Sequence, residues 1–99
     1  MLTSGTYRGL STGPLDSSPF VLELDLIAQP QMVKLINPAL QITLDFEGSV
    51  TPESGGVYLN GSLVNGGLVL GTLNAHVTSS QVQGTVGTGP AQWLLDLRH

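Results

Sequence analysis

Phe46-Glu47-Gly48-Ser49-Val50, Leu59-Asn60-Gly61-Ser62-Leu63, Val69-Leu70-Gly71-Thr72-Leu73 and Val82-Gln83-Gly84-Thr85-Val86 are four copies of one phrase, apolar-x-Gly-(Ser/Thr)-apolar. The unit 46–68 returns as 69–91. Such a phrase suits strands and not helices, because residues two apart share a face of a strand. Gly48, Gly61, Gly71 and Gly84 therefore fall on the same face as their apolar flanks, the inner one. Glycine inside a strand costs about 0.5–1 kcal/mol against alanine, so four at one offset require a reason. The first reading is geometric: glycine kinks let strands coil tightly and close a barrel or turn a sandwich corner. The second is that the row leaves room for a ligand inside. The third is a solenoid with each 23-residue unit as one coil, although two copies fall short of the three or so a solenoid needs. Ser49, Ser62, Thr72 and Thr85 then lie outward as solvated strand positions.

Working outward from the repeat, Asn65-Gly66-Gly67 is a tight-turn signal between apolar runs. Thr51 to Gly56 reads as a loop, and Thr78-Ser79-Ser80 and Gly87-Thr88-Gly89-Pro90 read as turns. Ala91 to Arg98 alternates, with Ala91, Trp93, Leu95 and Leu97 on one face. Leu40 to Val50 alternates too, with Leu40, Ile42, Leu44, Phe46, Gly48 and Val50 inward. Phe20 to Ile27 places Phe20, Leu22, Leu24 and Leu26 together. Met32 to Ile36, bracketed by Pro30 and Pro38, reads as an edge strand or one helical turn, with strand preferred. Gly5 to Ser11 is a short first strand with Tyr7 as its core candidate, followed by a turn region from Thr12 to Pro19. The expectation is one all-β domain over 1–99. It is an antiparallel small barrel or sandwich of seven to eight short strands with Gly-kinked repeated hairpins.

Charge is scarce. Arg8, Lys34 and Arg98 oppose seven acids, for a net charge of −4, and only 10% of residues are charged, against about 25% usually. Three scattered cations cannot neutralise a phosphate backbone, so nucleic acid and anionic membrane surfaces are not expected as partners. The absence of Cys removes disulfides, thiolate metal sites and a Cys nucleophile. No secretory leader pattern and no membrane-length apolar run occurs, so the expectation is a cytoplasmic protein or a piece of a larger chain.

Glu23 with Asp25, and Asp45 with Glu47, are paired carboxylates on polar strand faces. The first reading is a solvated acidic face; if their strands were direct neighbours, four like charges would crowd and call for a cation such as Ca²⁺ or raised carboxyl pKa values, and if Met32–Ile36 lies between the strands, Lys34 sits amid these acids. His76 is the sole internal histidine. It cannot build a zinc site alone, and no Gly-x-Ser-x-Gly elbow selects a nucleophile for it, so no catalytic set, cofactor or metal is assigned. Trp93 reads first as core and second as a barrel-mouth or sugar-stacking platform. Tyr58 beside Asn60 has the composition of a recognition surface. Val64, Leu68, Leu70 and Leu94 are apolar residues at positions that alternation sends outward, which points to a self-association interface.

Gln92-Trp93-Leu94-Leu95 resembles the last strand of avidin-type barrels, over four residues. The first strand lacks the tryptophan expected of that family, and its ligand-contacting polar set has no counterpart here. The resemblance implies a small barrel and transfers no residues. Three functions remain. The first is a non-enzymatic self-associating structural or assembly module. The second is a small-molecule or carbohydrate-binding barrel using Trp93, Tyr58, Asn60 and His76. The third is a hydrolase with His76 as base.

Overall fold

Eight strands, each antiparallel to its neighbours in the chain, close into a barrel when the last pairs with the first. The computed structural model describes residues 4–13, 17–27, 31–88 and 91–99. The strands are β1 (Ser4–Thr12), β2 (Ser17–Asp25), β3 (Met32–Asn37), β4 (Ile42–Glu53), β5 (Gly56–Asn65), β6 (Leu68–Thr78), β7 (Gln81–Thr88) and β8 (Ala91–Arg98). The turns expected around 14–16, 28–30 and 89–90 lie outside the described residues.

Alternation sends every second residue into the barrel. Tyr7, Leu22, Leu35, Leu59, Leu63, Leu73, Val77, Val82, Val86 and Leu97 are fully buried there. Eight strands enclose an interior just wide enough for side chains to fill. The repeat thus builds consecutive hairpins of a closed barrel, and neither a sandwich nor a solenoid. The geometric reading of the glycines agrees with the register. Gly48 lies directly opposite Gly61, and Gly84 opposite Ala75. A Cβ on Gly48 would collide with Asn60 O and the Gly61 Cα, and one on Gly84 with Asn74 O and the Ala75 Cα. At these points one backbone lies where a side chain would begin, so the strands can coil only where the residue is glycine.

Three expectations about strands need correction. Met32–Ile36 belongs to no edge: β3 pairs with β2 on one side and β4 on the other. Leu40 is not an inward strand residue. It is exposed in a turn that Asn37 organises by accepting hydrogen bonds at Oδ1 from Ala39 N (3.1 Å) and Leu40 N (3.2 Å). That turn ends on Gln41 at φ 57°, a left-handed conformation rare outside glycine. The loop expected over 51–56 is mostly strand: β4 runs to Glu53 and the reversal is confined to Ser54-Gly55. At the other end of β5, Gly66 and Gly67 both take positive φ (59° and 85°), as the two-residue turn requires.

Two stretches of strand overhang the barrel. β4 pairs with β3 only from Ile42 to Asp45, leaving Phe46–Glu53 with β5 alone among the described residues. β6 pairs with β7 from Thr72 to Val77, leaving Leu68–Gly71 with β5 alone among the described residues. Leu63 faces Gly71 while Val64 faces Val69, so Leu70 is an extra residue in a β-bulge.

Candidate functional site

β4, β5 and β6 bring Glu53, Tyr58 and His76 together on the outer wall, because Thr51, Tyr58 and His76 form one row across the three strands. The His76 Nδ1–H donates to Glu53 Oε2 at 2.9 Å and to Oε1 at 3.1 Å. The Tyr58 and His76 rings lie 4.6 Å apart, tilted by 36°. The Tyr58 hydroxyl donates to Asn74 Oδ1 at 3.4 Å. Asn60 stands opposite Asn74 in the adjoining row and is exposed. Sequence reading found Tyr58, Asn60 and His76 but missed Glu53, which it assigned to a loop. Glu53 reaches His76 only because β4 continues past Pro52 and positions its last residue one row from the histidine.

Trp93 is elsewhere. It points inward from the start of β8, half-buried against the core and edge-on to Phe20, with centroids 6.5 Å apart. Gly13 lies against its ring: a Cβ there would come within 2.6 Å of two ring carbons. Tyr58 and Trp93 therefore occupy opposite ends of the barrel, one outside and one inside, and do not share a site.

Chemically, the outer cluster holds a histidine oriented by a carboxylate, which is half of an acid–base arrangement. Among the described residues no serine hydroxyl bonds His76, and no group of three or more His, Asp or Glu could hold a metal ion. The His76–Glu53 contact is open to solvent, with the His76 side chain 60% exposed. Glu53→Gln is therefore expected to change stability by under about 1 kcal/mol in urea titration. A larger loss would mean that the pair organises the β4–β5 hairpin.

The acidic pairs meet the conditional expectation for Lys34. The register sets Lys34 opposite Glu23 on one side and Asp45 on the other, all on the outer face. Such alternation of sign across strands offsets the like-charge repulsion that neighbouring acidic strands would suffer.

The apolar outer residues follow a second pattern. Leu68 (67% exposed), Leu70 and Leu94 (61% exposed) lie on the surface. Val64 does not: it is 8% exposed at the bulge, covered by its own chain although outside the interior cluster, and must leave the interface set. Val69 and Leu10, which alternation placed inward or left unremarked, are exposed as well. Leu10 sits diagonally beside Leu94 across the β1–β8 seam. Between β6 and β8 an open notch of about 360 Å³ is lined by Val69, Leu70, Gly71, Thr72, Gly87 and Gln92. From Ser54 to Leu95 the chain contains no Asp, Glu, Lys or Arg. β5, β6, β7 and β8 up to Leu95 thus form an uncharged half of the barrel, and every formal charge but those of Asp96 and Arg98 lies at or before Glu53. Among the described residues no helix is long and apolar enough to cross a membrane.

No protein-family model matches the sequence, and no curated protein matches it.

Proposed function

We propose that this chain is a self-associating structural barrel, a non-enzymatic module whose role is to bring copies of itself together through its uncharged half. The observation that carries this reading is the exposure of Leu68, Val69 and Leu70 on β6, the last two lining the notch, and of Leu94 on β8 with Leu10 diagonally beside it across the seam, on strands whose formal charges lie only near the chain ends. Apolar residues scattered singly on a surface need no account, whereas a consecutive exposed run such as Leu68–Leu70 marks a contact area. Each copy carries a net charge of −4. Contact through the uncharged half keeps the acidic strands of two copies apart, so association is not opposed at short range by like charges.

The test is native mass against concentration. A discrete multiple of the 10.3 kDa chain is expected. Leu94→Glu should shift the equilibrium toward single chains by about tenfold, through burial of an unpaired carboxylate. A single chain at every concentration would overturn the reading.

A second reading has one observation in its favour. Tyr58 and His76 form a preorganised ring pair, held by Asn74 and Glu53 and flanked by exposed Asn60. Adjacent rings beside amide side chains suit a neutral sugar. Titration of a glycan panel should perturb Tyr58 and His76 resonances and leave Trp93 fluorescence unchanged. A panel that moves neither ring excludes this site as a sugar platform.

A further inference from the structure

We infer that Asn65 is a self-modification site: its side chain closes onto the backbone nitrogen of Gly66, releases ammonia, and leaves aspartate or isoaspartate at the tip of the β5–β6 hairpin. The inference goes beyond the self-association proposed above and does not depend on it.

The chain contains two Asn-Gly pairs, Asn60-Gly61 and Asn65-Gly66, and the fold treats them oppositely. The reaction needs a neighbouring nitrogen with a proton to lose and no side chain in the way, which glycine supplies. It also needs rotation about the Cα–C bond of the asparagine, because extended backbone turns the next nitrogen away from the side chain. Asn60 lies within β5, opposite Ser49 of β4 and Asn74 of β6. Gly61 approaches β4 so closely that a Cβ would meet Glu47 O and the Gly48 Cα. Rotation there requires three strands to part. Asn65 is the last residue of β5 and is exposed. The bulge at Leu70 separates the hairpin tip from the regular ladder, and beyond it the rungs are Val64 with Val69 and Asn65 with Leu68. Gly66 and Gly67, both at positive φ, stand in open space: a Cβ on either would meet nothing within 4 Å. In a two-residue turn the ladder bonds belong to the flanking residues, which leaves the Gly66 N–H outside them. The leaving amide is held weakly, Nδ2 donating to Thr43 O at 3.5 Å, longer than an ordinary N–H···O bond. Opening a hairpin tip costs little, whereas opening a central strand approaches global unfolding. The other asparagines lack a suitable neighbour: Asn37 precedes Pro38, which has no N–H, and Asn74 precedes buried Ala75.

The step balances without oxidant or reductant. The deprotonated Gly66 nitrogen forms a bond to Asn65 Cγ and the Cγ–Nδ2 bond breaks. Nδ2 departs as ammonia, taking up through solvent the proton that Gly66 gave away. Water then opens the cyclic imide. Opening at Cγ gives aspartate, and opening at the main-chain carbonyl gives isoaspartate, whose backbone runs through the former side chain. Either product sets a carboxylate opposite Leu68, inside the stretch 54–95 that otherwise carries no formal charge. Isoaspartate also lengthens the backbone at the rung whose turn fixes the register.

The experiment ages the full chain at mildly alkaline pH, folded and in urea, and follows both asparagines by peptide mapping. In urea the two Asn-Gly pairs should convert at similar rates. In the folded chain Asn65 should stay within about tenfold of that rate, with Asn60 at least about a hundredfold slower than Asn65. The aged protein should carry one negative charge more than the parent's −4 on isoelectric focusing. Asn65→Gln, whose ring closure is slower because the ring is larger, should abolish that species with the far-ultraviolet spectrum unchanged. Asn65→Ser serves in its place if the glutamine variant lowers the unfolding midpoint. Equal conversion of Asn60 and Asn65 in the folded chain would overturn the inference. So would a folded chain that converts neither while urea converts both, or an acidic species that persists in the Asn65 variants.

Discussion

Gly61→Ala is expected to destabilise the barrel by about 3–5 kcal/mol, a large part of what a chain of this size possesses. The sign is what makes the prediction informative. In an ordinary strand, glycine to alanine gains about 0.5–1 kcal/mol, because alanine loses less freedom on folding. Here the added Cβ would meet the Glu47 carbonyl oxygen and the Gly48 Cα on the paired strand. Both are backbone atoms of β4, so relief requires the two strands to part. Gly84→Ala should behave alike, against Asn74 and Ala75 of β6. Gly87→Ala is the contrast: its Cβ would meet only the Thr72 hydroxyl, at 3.0 Å, which can turn aside. That variant should stay within about 1 kcal/mol of the parent. Urea titration followed through Trp93 measures all three. A parental midpoint for Gly61→Ala would mean that close backbone approach is not what the repeated glycine provides.

Tyr7→Ala is the second large effect, expected at about 4 kcal/mol from the lost ring volume and the hydrogen bond together. Tyr7 is fully buried, and its hydroxyl donates to Thr78 O at 2.6 Å, joining β1 to the end of β6 across the barrel. The His99 ring stands edge-on to it, with centroids 5.1 Å apart. Tyr7→Phe keeps the volume and should cost about 1–2 kcal/mol, the loss of one bond to a carbonyl left behind. Alkaline pH separates the bond from the ring. Burial raises the Tyr7 pKa above its ordinary value of 10.0. A raised folded-state pKa means that stability is intact below the unfolded value and declines as pH rises through the folded one. The parent should therefore lose stability above about pH 10, and Tyr7→Phe should lose less. Equal alkaline losses in both proteins would exclude Tyr7 as the responsible group.

The strands were legible because alternation is written into nearly every one of them. Tyr7, Phe20, Leu22, Leu24, Leu95 and Leu97 were assigned to the interior and are there. Closure was not legible, since nothing local states that Leu97 of β8 will lie opposite Gly9 of β1. The bulge was hidden for a related reason. Val64 continues a regular alternation in sequence, and only the insertion of Leu70 on the opposite strand alters its surroundings. Glu53 was lost to the loop signal of Pro52 and Gly55-Gly56, although Pro52 sits on a stretch of β4 with no β3 partner, where its missing N–H costs nothing. Trp93 and Tyr58 were grouped by chemical type, but a strand separates what composition groups: odd and even residues on different strands diverge to inside and outside.

Closure of the barrel also divides how it can form. Seven of its eight pairings join chain neighbours, whose contacts are local and cheap in loop entropy. The eighth brings together residues as distant as Arg8 and Arg98. Until that seam shuts, the chain is an open, curling sheet whose two outer strands lack partners. Formation should accordingly be a succession of rapid hairpin steps governed by one slow event, the meeting of first and last strands. A lesion within a central hairpin, whose contacts are made before that event, would slow the approach to the native state, while a lesion in seam contacts that complete only after the two strands have met would act mainly on how fast the native state is left.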